Sequence, residues 1–215
     1  MKTQEKILLV GGGGHCKACI DVVEEEGRFQ IVGIIDRHEK VGNTILGYKI
    51  IGTDDDIEEL LNVAQNVLIT VGHIKSSELR EKLFYHVMEL GGRFPVIFSP
   101  KAQVSKHAKI GDGTIIMHSA VVNAGTIIGK NSIINNLSLV EHDVKIANHV
   151  HISTGARING NCKIGNNCFI GSGSVINQGV EIVDNVVIGS GSLVRKNINS
   201  SGVYAGNPLR KIIGK

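Results

Sequence analysis

From Val104 to Val194 an isoleucine or valine returns at every sixth residue, sixteen times without a gap. The series runs Val104, Ile110, Ile116, Val122, Ile128, Ile134, Val140, Ile146, Ile152, Ile158, Ile164, Ile170, Ile176, Ile182, Ile188 and Val194. Four places after most of these stands a small or β-branched residue, for example Ala108, Thr114, Ser132, Ala156, Cys162, Cys168 or Ser174. Helices repeat near 3.6 residues and ordinary strands at 2, so neither explains a strict period of six. A parallel β-helix does, with each hexapeptide a short strand plus a corner and three of them closing a triangular coil. Side chains 18 residues apart then stack at the ~4.8 Å spacing of paired strands. Residues 104–193 make five such coils with no long loop between them.

A prism this narrow has room for one branched and one small side chain per face. The composition agrees: 27 of 215 residues are glycine, and the only large rings are five phenylalanines and three tyrosines. Corners such as Asn159-Gly160-Asn161 and Gly165-Asn166-Asn167 supply residues that tolerate a positive φ. The 23 basic and 20 acidic residues form no long run of one sign, so the basic stripe of a nucleic-acid binder is missing. No apolar run approaches the ~18 residues of a membrane span. The first residues carry no signal-peptide pattern, and four cysteines fit a reducing compartment. The sequence thus predicts a cytoplasmic protein that neither inserts in membranes nor binds nucleic acid.

Residues 1–100 follow different rules. Lys6–Val10 reads as a strand running into Gly11-Gly12-Gly13-Gly14-His15, Cys16–Glu26 as a helix, and Ile31–Asp36 as a strand ending on an acid. Thr53 or Asp54 caps a short helix to Asn62. Val67–Val71 is a third strand leading to Gly72-His73, Ser76–Gly91 an amphipathic helix, and Arg93–Phe98 a further strand. The alternation predicts an α/β, small Rossmann-like parallel sheet over residues 1–100, followed by the all-β helix of residues 101–215 with its closing segment. Ligands of such sheets sit at the carboxyl ends of the strands, where the glycine loop, Asp36 and Gly72 converge. The dinucleotide fingerprint fails, because Cys16 takes the third glycine position. What remains is a glycine loop opening a helix, which offers backbone N–H groups to a phosphate; a plain tight turn is the alternative.

Column arithmetic sorts the polar residues of the repeat. Ala124, His142, Gly160 and Gln178 share one corner column; His118, Asn136, Thr154, Ser172 and Ser190 share another. His142 stands between Glu141 and Asp143, and a carboxylate on one ring nitrogen raises the basicity of the other. Gly160, one coil above, leaves space and a backbone N–H, a pairing that suits a base beside an oxyanion donor. A solvated corner histidine is the plainer alternative. His151 shares a strand-face column with Ile133 and Phe169, so it points outward, where a second subunit could cover it. His149 and His107 read as surface residues. The histidine spacing offers no good metal set, and none is expected. Cys162 and Cys168 fill inward small slots; Cys16 and Cys19 form a lone C-x-x-C whose alternatives are packing and a redox role.

Gly12-Gly-Gly-His15, Val140-Glu-His-Asp143, His151-Ile-Ser-Thr-Gly-Ala156 and Val203-Tyr-Ala-Gly-Asn-Pro208 together resemble the sialic-acid O-acetyltransferase family of left-handed β-helix enzymes. Within it the likeness is greatest to the N-acetyltransferases of nucleotide-linked 4-amino sugars, of the bacillosamine-pathway type, and it spans nearly the whole chain. The resemblance implies a left-handed helix, a homotrimer with active sites between subunits, and acetyl-CoA as co-substrate. Under it His142 is the general base and Asp143 the acid that polarises it. His151, Gly160, Ser172 and Ser190 match acetyl-CoA contacts. Gly13, Gly14, His15, Asp36, Arg37 and Gly72 match the nucleotide-sugar site, and Asn135 lies near the acceptor amine. Cys16 and Arg37 depart from the family pattern, which leaves the nucleotide base open among uracil, thymine and guanine. The expected activity is N-acetylation of a nucleotide-linked amino sugar. The alternatives are O-acetylation of sialic acid or a similar free sugar, and a non-catalytic scaffold that only binds nucleotide sugars.

Overall fold

The computed structural model describes residues 4–212. The N-terminal half is a sheet in the order β3-β4-β2-β1-β5, built from β1 (Glu5–Val10), β2 (Phe29–Ile35), β3 (Thr44–Ile45), β4 (Tyr48–Gly52) and β5 (Asn66–Ile69). All pairings are parallel except the β3–β4 hairpin. Ile7, Leu8, Leu9 and Val10 are all buried because β1 is central and covered on both faces. Helix α1 (Gly14–Glu26) packs on one face with Cys16, Cys19, Ile20, Val22 and Val23 inward, and ends on Gly27 in the left-handed region. Thr53 holds the start of the short α2 (Ile57–Leu60) segment through Asp56, its N–H and hydroxyl lying 2.7 and 2.9 Å from Asp56 Oδ2. Helix α3 (Glu78–Glu89) covers the other face with Leu83, Phe84 and Val87.

The hairpin has no counterpart among the expected elements. Strand β4 reaches the sheet through Ile50 and Gly52 opposite Ile34 and Ile35, and Gly33 makes room for it: a Cβ there would stand 2.4 Å from Ile51 Cδ1. The strand expected over Arg93–Phe98 is corrected. Arg93 makes only a single bridge to Asn66, whereas β6 (Ile97–Phe98) pairs with Ile115–Ile116 and begins the prism.

The second half is a triangular prism of three parallel sheets whose strands pair at intervals of 18 residues, as Ile133–His151–Phe169 illustrates. We number the faces by their strands. Face one holds Val121–Val122, Leu139–Val140 and Arg157–Ile158; face two holds Ile127–Ile128, Lys145–Ile146 and Lys163–Ile164; face three holds Ile115–Ile116, Ile133–Ile134 and His151–Ile152. The repeating aliphatics from Ile116 to Val194 are buried along the prism axis. One residue per corner takes a positive φ, and it is Asn161 or Asn167 rather than the neighbouring Gly160 or Gly165. Those glycines serve close packing, as described below for Gly160.

What distinguishes the faces is the residue that precedes each inward aliphatic. On face three these are Ile97, Ile115 and Ile133, which join Met117 in one core with Ile7, Leu9 and Ile20 of the α/β half. The seam has polar ties as well: His118 lies 3.1 Å from Asp21 of α1 and 2.7 Å from the Ser99 hydroxyl. Face three therefore belongs to the α/β half, and faces one and two are left bare of it.

Candidate active site

Two clusters of chemistry emerge, on different sides of the prism. The first surrounds the glycine loop. Gly11 has φ +106°, and a Cβ on it would stand 2.3 Å from Val71 Cγ2; a Cβ on Gly12 would stand 2.6 Å from Asp36 Oδ2. Packing explains those two. At Gly13 and Gly14 a Cβ would meet nothing within 4 Å, so the protein itself has no steric need of glycine there. Their bare backbone opens α1 toward a cavity of about 490 Å³. An exposed helix N-terminus of this kind attracts a phosphate or another anion.

Asp36, at the end of β2, stitches the loop. Its Oδ2 accepts from Gly12 N–H and Lys40 Nζ, each at 2.8 Å, and its Oδ1 accepts from Arg37 N–H at 2.8 Å. Burial alone would raise this carboxyl, but the three donors outweigh it and hold the group below the usual carboxylate range. Across the cavity stand three imidazoles. The ring of His151 lies 6.1 Å from His15 and 5.4 Å from His73, centroid to centroid. Burial and the Arg80 cation lower His15 to about 3, with His151 and His73 adding to it. His73 is likewise pushed to about 3 by burial, then by His151 and Arg80. His151 is lowered to about 4 by burial, against the opposing effect of the His73 carbonyl. These rings are neutral at physiological pH. Because the His73 carbonyl lies 2.8 Å from His151 Nδ1, that nitrogen carries the hydrogen, and Nε2 accepts from Asn135 Nδ2 at 3.1 Å. His15 Nε2 is buried without a partner among the described residues.

Gly13, Gly14, His15, Asp36, Gly72 and Asn135 therefore line one cavity. Arg37 does not; its guanidinium is exposed and turned 3.2 Å from Glu39. His151 lies with this group rather than beside Gly160, Ser172 and Ser190, and it is the chain's own α/β half that covers it, not a second subunit. Lys40, Thr70 and His73 also line the cavity, and sequence reasoning did not single them out. Lys40 sits four residues after Asp36, the one spacing that could have revealed it. His149 is a second correction: it is buried, not a surface residue, because α3 covers it. Its Nδ1 lies 3.0 Å from Asn131 Nδ2 and its Nε2 3.3 Å from the Tyr85 hydroxyl, and burial lowers it to about 4. His107 is exposed as expected.

The second cluster is the corner joining faces one and two. His142 Nδ1 lies 2.9 Å from Asp143 Oδ2. A carboxylate only accepts, so Nδ1 carries the hydrogen and Nε2 presents its lone pair. Asp143 reaches this position from a backbone at φ +60°, and Gly125, one coil below, is bare where a Cβ would collide with its carboxylate. One coil above, a Cβ on Gly160 would stand 2.7 Å from His142 Cε1 and Nε2, so only glycine lets the ring lie there. Of the two flanking acids, Asp143 alone touches the histidine; Glu141 accepts from Asn123 at 2.8 Å. The open cleft over Gly160 spans about 640 Å³ and is also lined by Asn177, Gln178 and Arg195. Ser172 and Ser190 are exposed on the other corner, between faces three and one.

His142 thus lies on the prism edge opposite face three, and the glycine-loop cavity lies over face three. Within one chain the two do not meet. Among the described residues no cluster of three or more metal-ligating side chains occurs. Cys16 and Cys19 are buried on α1, and burial pushes both thiols up, which makes them packing groups rather than reactive ones.

Residues 6–87 match the family described as the PglD N-terminal domain, and residues 107–142 and 161–196 match the bacterial transferase hexapeptide (six repeats) family. No curated protein matches the chain in sequence. Among solved structures, the acetyltransferase domain of PglB from Neisseria gonorrhoeae in complex with acetyl coenzyme A is 29% identical, with a TM-score of 0.90 over 98% of this chain and 100% of that one. PerB from Caulobacter crescentus, solved with CoA and GDP-perosamine, is 25% identical, with a TM-score of 0.90 over 98% of each chain. WeeI from Acinetobacter baumannii is 25% identical, with a TM-score of 0.77 over 98% of this chain and 100% of that one.

Proposed function

We propose that this chain, which belongs to the bacterial hexapeptide transferases carrying a PglD N-terminal domain, is an acetyltransferase that moves an acetyl group from acetyl-CoA to the amine of a nucleotide-linked amino sugar. The observation that carries the mechanism is the His142 corner, an imidazole with its Nδ1–H fixed by Asp143 and its Nε2 free over a glycine. The sugar amine attacks the thioester carbonyl carbon while His142 Nε2 takes its proton. The C–N bond forms, the C–S bond breaks, and CoA leaves as the thiolate, which recovers the proton through His142. Gly160 N–H steadies the developing oxyanion. No side chain is acylated on the way.

The acceptor is held by the glycine-loop cavity, with its diphosphate on the N-terminus of α1 and Asp36, His15 and Gly72 around the nucleoside. Since that cavity and His142 lie on opposite sides of one prism, the reaction needs two subunits. Face one is the surface that brings them together: its outward residues include Val121, Leu139, Val175 and Leu193, next to Leu137, which is 65% exposed. Face two instead presents Lys109, Lys145, Lys163 and Glu181. A homotrimer packed through face one sets the His142 edge of one subunit against the neighbour's edge carrying Asn135, Thr154, Ser172 and Ser190. The pantetheine arm of CoA lies in that cleft, and Ser172 and Ser190 reach it from the neighbour.

Thiol release from acetyl-CoA, measured with UDP-, dTDP- and GDP-linked amino sugars and with free sialic acid, tests the reading. Release with an amino-sugar nucleotide is expected. Release with sialic acid alone would make the enzyme an O-acetyltransferase, and nucleotide binding without any release would leave a scaffold. Mixing two inactive variants, His142→Ala and Gly14→Tyr, should restore turnover if each site draws on two subunits; a mixture as silent as its parts overturns the shared site.

A further inference from the structure

Arg80 is fully buried in α3 and, among the described residues, has no carboxylate partner. Its guanidinium is bound by main-chain carbonyls alone: Nη1 donates to Ile69 O at 2.5 Å and Val71 O at 2.9 Å, and Nε donates to Asn131 O at 3.0 Å. Asn131 answers in kind, its side-chain amide donating to the Arg80 carbonyl at 3.3 Å and facing His149. Ile69 is the last residue of β5, and Val71 opens the segment Val71-Gly72-His73 by which the chain turns into the cavity wall. The third carbonyl belongs to a corner of the prism. One planar group thus ties the wall of the glycine-loop cavity to the rail on which it rests.

A buried cation is a costly way to hold two elements together. Well-packed apolar residues of the same volume serve stability equally well or better. Nη2 is left without a partner, which adds to that cost. What an apolar residue cannot do is fix two carbonyls, at and just past one strand end, and a third across the seam in a single plane, which the guanidinium fork does. The wall it fixes carries Gly72, whose backbone approaches His15, and the His73 carbonyl, which sets the tautomer of His151 and through it the amide of Asn135.

We infer that Arg80 is a positioning residue for the acceptor site, holding the Val71–His73 wall at the height over the prism that nucleotide-sugar binding requires. The inference rests on the cavity being the nucleotide site. Arg80 touches neither the proposed acceptor nor the His142 cleft, so its effect belongs to acceptor binding and not to the acetyl donor.

Calorimetric binding of UDP, dTDP and GDP to the full chain, beside steady-state kinetics and urea unfolding, tests it with Arg80→Met and Arg80→Lys. The wild type should bind at least one of the three. Arg80→Met should remain folded yet weaken that nucleotide roughly tenfold or more, the scale of losing hydrogen bonds to a charged group. The acceptor KM should rise in parallel, while the acetyl-CoA KM and kcat at saturating acceptor change by less than about twofold, as expected for lost uniform binding. Arg80→Lys keeps a cation without the fork and should show the same weakening; if Arg80→Met does not fold, this variant decides. Unaltered nucleotide affinity in a folded variant, whatever its unfolding midpoint, makes Arg80 merely structural and overturns the inference. A wild type that binds none of the three nucleotides overturns the nucleotide site itself, and the inference with it.

Discussion

The prism and the α/β half satisfy their buried polar groups by opposite means. In the prism small polar slots recurrently bond a carbonyl 15 residues ahead, Thr114 to Gly129 at 2.8 Å, Thr126 to Glu141 at 2.8 Å and Ser174 to Gly189 at 2.9 Å, while Ser138 and Ser192 turn to a carbonyl three residues back. Cys162 and Cys168 make the forward bond with their thiols, to Asn177 and Val183. The repeated step ties successive sides of the prism to one another, and the result is a rail. In the α/β half the bonds are solitary and long-range; among the described residues both halves leave some buried polar atoms without a partner, His15 Nε2 and Arg80 Nη2 in one and the corner amides of Asn131, Asn136 and Asn167 in the other. A repeating ladder of bonds fixes position along the prism, whereas solitary bonds around a cavity shape one particular site. In the proposed reaction that contrast separates donor chemistry on the prism edge from acceptor binding in the cavity.

The sharpest way to break the division is His142→Ala. It should lower kcat by about 10²–10⁴ while nucleotide affinity, read by calorimetry, stays at the wild-type value. Near-normal turnover would remove His142 from the chemistry. Gly160→Ala should come next: its methyl lands on the imidazole, and displacing a reacting group by about 1 Å costs roughly 10² in kcat. Steady-state kinetics should show the acceptor KM unmoved, and a loss confined to KM would argue that this corner binds rather than reacts.

The complementary change in the cavity is Gly12→Ala, which forces Asp36 off the loop. It should weaken nucleotide binding roughly tenfold and leave acetyl-CoA kinetics untouched; weakening of both substrates would mean that the two regions are not separable. The smallest effect is on stability. His15 and His73 are lowered to about 3, and His149 and His151 to about 4, so between there and the ordinary value of ~6.5 the unfolded chain binds more protons than the folded one. Stability should be greatest above pH 6.5 and fall as pH drops toward 4, with Asp36 adding a loss at still lower pH as its depressed carboxyl is protonated. Urea midpoints across that range measure the slope, and His149→Phe should flatten it; an unchanged slope would show that the seam histidines do not set it.

How legible each region was follows from the same contrast. Sixteen aliphatics in register gave the prism and the stacking of Gly160 on His142, because every pairing repeats at a fixed interval of 18 residues. Strand β4 escaped because its partner β2 is set by a side-chain vacancy at Gly33, which no local pattern records. His149 read as exposed because the repeat says only which way a side chain points, not what another element lays over it. Arg37 and Lys40 are three residues apart, on either end of a single 3-10 turn, and only the fold decides which of them turns into the cavity.

The sequence by itself determined the two architectures, the glycine loop and the His142–Asp143 pair, since each is carried by neighbours in the chain or by a strict period. The tertiary structure alone decided that face three is covered by the α/β half, that His151 joins the glycine-loop cavity, and that this cavity lies on the far side of the prism from His142. Those outcomes depend on which apolar face the α/β half buries. Burial is a nondirectional force, proportional to area, that the order of residues along a strand does not address to any one partner.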